Sequence, residues 1–191
     1  KEVEAFFKRM GFPFTVGYGM TECAPIITYD DWKEEKLYSC GKAAPNMEVR
    51  IASADPANIP GEIQIKGANV FLGYYKNEEA TAEVFTRDGW FRTGDMGVLD
   101  AEGSLFIKGR AKCMILGPSG QNIYPEEVET VLNSQPYVVD SLVIEDNGGL
   151  TALIYPDFPQ GARDGMKQEA FVKYLEGTLT ELNKELPNYA K

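Results

Sequence analysis

Three short runs in this chain carry side chains suited to holding a phosphorylated, hydroxyl-bearing ligand: Tyr18-Gly19-Met20-Thr21-Glu22, Arg92-Thr93-Gly94-Asp95 and Gly109-Arg110-Ala111-Lys112. Thr21 offers a hydroxyl that can donate to a phosphate oxygen. Glu22 offers a hard carboxylate oxygen, the donor magnesium takes alongside water and substrate phosphates. Tyr18 presents a flat face on which a purine can stack, although standing alone it reads as a core aromatic. Gly17 and Gly19 let backbone approach a ligand closely, or serve a turn. Asp95 can accept from both hydroxyls of a ribose, as an acidic residue does in dinucleotide folds. The competing reading is a turn aspartate just past a strand, because Gly-Asp pairs favour turns. Arg92 either organises that loop or lies on its surface. The Arg110 guanidinium suits ribose or phosphate oxygens and is expected to reach them from the second module's side. Lys112 falls at a candidate hinge. For both, ordinary surface charge at a strand start is the alternative.

The elements that must position these groups follow from periodicity. Residues 1–10 read as a helix, broken at Gly11-Phe12-Pro13. Phe14 to Tyr18 reads as a short, mostly buried strand leading into the glycine-containing loop of Thr21-Glu22. Residues 30–36 are polar and expected to be exposed. Glu48 to Ile51 alternates polar and apolar residues. Glu62 to Lys66 does so more cleanly between Gly61 and Gly67, the period-two pattern of a strand with one buried face. Val98-Leu99 and Leu105-Phe106-Ile107 flank Asp100-Ala101-Glu102-Gly103, which predicts a hairpin. Short strands with frequent turns predict a small antiparallel β-barrel or sheet up to Lys108.

A second, α+β module is expected over residues 109–191. Ile115-Leu116 reads as a strand before the sharp loop Gly117-Pro118-Ser119-Gly120. A helix is predicted from Pro125 to Leu132, with proline first and acidic residues in the first turn. Strands are predicted from Val138 to Glu145 and Leu150 to Tyr155, joined at Asn147-Gly148-Gly149. A long amphipathic helix is predicted from Met166 to Leu186, carrying Phe171, Leu175, Leu179 and Leu182 on one face and stopped by Pro187. No internal repeat or low-complexity tract is seen.

Composition narrows the function classes. The 191 residues include no histidine and carry a net charge of −10. Ser-His-Asp and Cys-His catalysis and histidine-ligated zinc are excluded within this segment. Nucleic-acid binding is disfavoured, since phosphate backbones call for clustered Lys and Arg. The apolar runs fall short of a membrane span, and no signal peptide opens the chain. An acidic surface is a poor match to an anionic membrane, which leaves room only for peripheral contact. Cys23, Cys40 and Cys113 have no Cys-x-x-Cys spacing and read as reduced thiols of a cytoplasmic protein. Opening on Lys1, in a helix already under way, the chain reads as a portion of a longer protein.

The three runs resemble, in order and separation, motifs of the adenylate-forming (AMP-binding) enzymes: acyl-CoA synthetases, peptide-synthetase adenylation domains and luciferases. Further matching runs are Cys40-Gly41-Lys42 with Pro45, Gly61-Glu62-Ile63, Gly73-Tyr74-Tyr75-Lys76-Asn77, Asp88-Gly89-Trp90-Phe91 and the stretch from Gly120 to Glu129. The chain is most similar to the C-terminal part of a long-chain fatty acid–CoA ligase. This resemblance implies an α+β fold in which residues 1–108 end a large AMP-binding domain with a small β-barrel-like subdomain. Residues 109–191 would then form a small mobile domain.

It also implies two half-reactions. ATP and a carboxylate, a fatty acid above all, give an acyl-adenylate and pyrophosphate. CoA then displaces AMP to give a thioester. Tyr18, Gly19, Thr21, Asp95 and Arg110 would bind nucleotide, Glu22 magnesium, and Lys112 would be the hinge between the half-reactions. Gly120, Gln121 and Asn122 would face the thiol channel. The family's glycine-rich phosphate loop and late adenylation lysine have no counterpart here, and Lys191 does not match that lysine's context. The segment alone is therefore expected not to catalyse adenylation. Two alternatives stand beside the ligase: an adenylation domain that loads a carrier protein, and a non-catalytic partner-binding module on the same scaffold.

Overall fold

The computed structural model describes residues 2–117 and 120–185, which divide into two compact units at Ala111 and Lys112. The first unit opens with helix α1 (Glu2–Arg9) and then forms two antiparallel sheets. The smaller sheet contains β1 (Tyr18–Gly19), β2 (Ile26–Tyr29) and β3 (Lys42–Ala43). The larger contains β4 (Met47–Ala52), β5 (Gly61–Gly67), β6 (Phe91–Leu99) and β7 (Leu105–Arg110) in that order, with helix α2 (Glu78–Val84) between β5 and β6. It is an open sheet with β4 and β7 at its edges, so the expected barrel closure is not found among the described residues.

The β5 alternation is less clean than the sequence pattern. Ile63 and Ile65 are wholly buried, but Gln64 between them is buried too. The strand lies between β4 and β6, and the other face is covered where Arg50 Nε donates to Gln64 Oε1 at 2.8 Å. Burying these apolar side chains with Ile51, Phe91 and Leu105 supplies the main stabilisation of the unit. The strand predicted from Phe14 to Tyr18 shrinks to Tyr18–Gly19. Phe14 instead stacks on Phe7 of α1, ring centres 5.2 Å apart. The largest departure concerns β6, which starts at Phe91 and carries Arg92 to Asp95 inside a nine-residue strand. The β6–β7 hairpin turns at Asp100, whose side chain accepts from the Glu102 and Ser104 amides.

The second unit opens with the ribbon β8 (Ile115–Leu116) and β9 (Asn122–Ile123), followed by helix α3 (Pro125–Asn133). Pro118 and Ser119 of the predicted loop lie outside the described residues. Next come β10 (Val138–Asp146) and β11 (Gly149–Pro156), then α4 (Phe158–Arg163) and α5 (Gln168–Glu185). Asn147 and Gly148 both take positive φ, the requirement of a type I′ hairpin turn. One face of the hairpin turns Val143 against Val128 and Leu132 of α3, with Leu179 and Leu182 of α5 packed alongside. Helix α4 escaped the sequence pattern because it is short. Asp157 caps it, accepting from the Gln160 amide at 2.9 Å. The predicted stop of α5 at Leu186 and Pro187 lies outside the described residues. No helix among the described residues is long and apolar enough to cross a membrane.

Candidate functional site

Asp95 faces β7, where the register pairs it with Arg110. Its carboxylate is gripped from two sides. Tyr18 Oη donates to Oδ2 at 2.5 Å, and Arg110 Nη1 stands 3.1 Å from Oδ1. The Asp95 side chain is mostly buried while the guanidinium is largely exposed. The strand itself aids the placement. Gly94 has φ +74°, and the Asp95 amide donates to Thr93 Oγ1 at 3.1 Å. Thr93, itself buried, donates to the Ile63 carbonyl at 2.8 Å and so ties the group to β5. Burial, and then the bond to Asp95, push the Tyr18 phenol far above its ordinary range. It therefore stays protonated and donates to the carboxylate.

This geometry changes three expectations. Asp95 is a strand residue, not a turn residue, so the bland reading of its Gly-Asp pair does not apply. Arg110 ends β7 and belongs to the first unit, not to the second module from which it was expected to reach. Tyr18 is only 8% exposed and sits in the core cluster, which leaves little face for stacking and makes its hydroxyl the chemically available part. Arg92 stays outside the group, exposed on the sheet with Nε 3.8 Å from Glu62 Oε2.

Thr21 and Glu22 ride on a single 3-10 turn, Thr21–Cys23, between extended Met20 and left-handed Ala24. Thr21 is exposed and Glu22 half-buried over the wholly buried Cys23. Burial, then the Glu22 charge, push the Cys23 thiol up to about 11. Gly19 has a structural reason of its own. A Cβ there would lie 2.0 Å from the Pro25 carbonyl oxygen, which accepts from the Met20 amide. At Gly17 the fit is looser, a Cβ there lying 3.1 Å from the Thr28 carbonyl oxygen.

Among the described residues no group of three or more His, Cys, Asp or Glu could hold a metal. A protein-built cage is thus absent there. One accessible carboxylate would suit magnesium that arrives with substrate phosphates and keeps its waters, and the half-buried Glu22 offers a carboxylate of that kind.

In the second unit, Lys112 is exposed in a short turn, Ala111–Cys113. Gly120 is exposed at positive φ, and Asn122 begins β9 opposite Leu116. Gln121 returns its carbonyl to the Gly117 amide at 2.8 Å. Sequence reasoning gave no role to Thr93 or Tyr74. Thr93 lay inside the Arg92–Asp95 run, two positions from the Asp95 it serves. Tyr74 donates to Glu22 Oε1 at 3.0 Å, and nothing in the pair Tyr74-Tyr75 told which hydroxyl would reach Glu22.

The profile of the AMP-binding enzyme family matches residues 1–75. The chain is 34% identical over 163 residues to the long-chain-fatty-acid–CoA ligase FadD15 of Mycobacterium bovis, a match covering 85% of this chain and 26% of that protein. It is 41% identical over 142 residues to the indoleacetate–CoA ligase of Aromatoleum aromaticum, covering 71% and 28%. Among solved structures, o-succinylbenzoate CoA synthetase from Bacillus subtilis with its acyl-adenylate intermediate gives a TM-score of 0.83 at 34% identity. That match covers 100% of this chain and 38% of that one. The same enzyme with ATP and magnesium gives 0.73 at 32% identity, covering 89% and 38%. The chain thus spans only about a quarter of the length of these two curated relatives.

Proposed function

From the premise that this chain carries part of an adenylate-forming AMP-binding enzyme, we propose that the complete protein is an ATP-dependent acyl-CoA ligase. The observation that carries the reading is the Asp95 carboxylate, held by Tyr18 and Arg110. Each carboxylate oxygen has a second lone pair, so both can still accept from ribose hydroxyls. Arg110, exposed beside them, adds donors for ribose or phosphate oxygens. Thr21 donates to the α-phosphate, and Glu22 supplies one oxygen to magnesium, whose charge would offset that of the phosphates.

In the first half-reaction the substrate carboxylate attacks the α-phosphorus and pyrophosphate leaves. In the second the CoA sulfur attacks the acyl carbonyl, its proton passes to solvent and AMP leaves. In this proposal Tyr18 and Gly19 border the adenine, with Tyr18 acting chiefly through its hydroxyl. Lys112, the first residue of the second unit, is the pivot between half-reactions. Gly120, Gln121 and Asn122 serve the thiol's approach.

A long-chain fatty acid is the acid proposed first, supported by the FadD15 similarity. The indoleacetate and succinylbenzoate ligases among the similar proteins make aryl acids the alternative. ATP–pyrophosphate exchange by the complete protein, scanned over fatty acids of increasing length and these two aryl acids, tests both levels. Exchange rising with chain length supports the fatty acid. Exchange with aryl acids only keeps the ligase and moves the substrate. No exchange with any carboxylate overturns the ligase in favour of a non-catalytic module.

A further inference from the structure

The run Gly73-Tyr74-Tyr75-Lys76-Asn77 has no part in the chemistry above, yet it reaches Glu22 directly. Tyr74 Oη donates to Glu22 Oε1 at 3.0 Å, and the neighbouring Phe71 amide donates to the Glu22 carbonyl at 2.8 Å. One strap therefore holds both the backbone and the side chain of the same residue.

The strap is itself braced. The Tyr74 amide donates to Thr81 Oγ1 at 2.9 Å, and that hydroxyl donates to the Asn77 carbonyl at 2.7 Å. Asn77 caps α2 by accepting from the Ala80 amide. Gly73 lies so close to Thr81 that a Cβ there would come within 2.5 Å of its methyl group. The Tyr74 ring stands edge-on to Phe71 at 4.9 Å, and Phe71 meets buried Phe91 at 5.5 Å. Tyr75 next door is 88% exposed and cannot substitute.

We propose that Tyr74 is a positioning residue: its hydroxyl fixes one oxygen of the Glu22 carboxylate so that the other is presented to a divalent cation carried by the nucleotide phosphates. This rests on the ligase reading. A glutamate whose rotamer is already chosen loses less freedom when it binds, so the site gains affinity without a further contact. Partners that orient a metal ligand typically change metal affinity about 10- to 100-fold.

The test uses the complete protein with manganese(II) and a non-hydrolysable ATP analogue, the bound cation read by paramagnetic resonance without turnover. Tyr74→Phe should weaken manganese binding about 10-fold, and Tyr75→Phe should leave it unchanged. In a Glu22→Gln background, Tyr74→Phe should have no further effect, since the two act as one unit. In exchange assays Tyr74→Phe should raise the magnesium concentration needed for half-maximal rate, with the rate at saturating magnesium nearly kept.

Unchanged manganese affinity in Tyr74→Phe, or equal effects in both Glu22 backgrounds, overturns the positioning role while native exchange leaves the ligase standing. A native protein with neither nucleotide-dependent manganese binding nor exchange overturns both.

Discussion

Asp95 in the first unit stands inside a nine-residue strand, whereas in the second Gly120 and Gln121 stand in the loop before Asn122, which begins a ribbon of two residues per strand. The carboxylate is fixed by a strand neighbour, Thr93, a core hydroxyl, Tyr18, and a paired strand end, Arg110. The loop is held across its base by the Gly117–Gln121 amide–carbonyl bond. The sheets of the two units differ in the same sense. Ile63, Ile65 and Leu105 are wholly buried under the first site. The β10–β11 hairpin of the second unit buries one face, and its other face leaves paired Leu142 and Leu153 about half exposed. A group carried on a packed sheet is oriented before its ligand arrives. A group on a short ribbon acquires its orientation from what docks there. In the proposed ligase this division would let the first unit hold a nucleotide still and the second admit a thiol.

The largest effect should come from the fixed group. Asp95→Ala removes a carboxylate expected to accept from two ribose hydroxyls, each bond to a charged group worth about 1.5–3 kcal/mol. ATP–pyrophosphate exchange by the complete protein should fall at least about 100-fold. Gln121→Ala should leave exchange within about twofold and slow thioester formation instead. Equal losses in both assays for both variants would erase the distinction between the two regions.

Stability should show the next contrast. Ile65→Ala empties a wholly buried site and should cost about 2–5 kcal/mol in urea unfolding. Leu153→Ala, at 52% exposure, should stay below about 1 kcal/mol. A large cost for Leu153→Ala would mean that the outer face of the hairpin is covered in solution.

The sequence was most legible where the pattern is local. Pro125 with two acidic residues announces α3, Asn147-Gly148 announces the type I′ turn, and Gly61 to Gly67 bounds β5 almost to the residue. It was least legible where position depends on a distant partner. Arg92 to Asp95 contains a glycine at positive φ and looks like a turn, yet pairing with β5 and β7 keeps it in a strand. The chemical types at the candidate site were readable from Tyr18, Glu22, Asp95 and Arg110. Their grouping came only through the family resemblance and not from the residues themselves, because the Tyr18–Asp95 bond joins residues far apart in the chain. Tyr18 shows the consequence: its ring looked like the functional part, while the fold buries the ring and uses the hydroxyl.

That reading of Tyr18 predicts a smaller effect than loss of Asp95 itself. Tyr18→Phe keeps the ring in the core and leaves the carboxylate with Arg110 and the ligand. Exchange should fall about 10-fold, the cost of one bond to a charged acceptor, chiefly through a higher KM for ATP. A loss as deep as that of Asp95→Ala would mean that the phenol touches the nucleotide directly. No loss would mean that the sheet alone orients Asp95.

The smallest effect concerns the thiols and tests whether the floor of the first site stays closed. Cys23 is wholly buried and its thiol is pushed up to about 11, whereas Cys113 is exposed. At pH 8 only about one Cys23 thiol in 1,000 would be ionised. Iodoacetamide should therefore modify Cys113 first and Cys23 only on unfolding, as peptide mapping over time would show. The same shift has a signature in stability. The folded protein holds Cys23 neutral, so this contribution is complete below the ordinary thiol value of 9.0 and is lost as pH rises through about 11. The stability difference between the native protein and Cys23→Ala should be flat below about pH 9 and shrink above it. Modification of Cys23 as fast as Cys113 would show the turn under Glu22 opening in the native state. The first site would then be no more fixed than the second, and the comparison between them would fail.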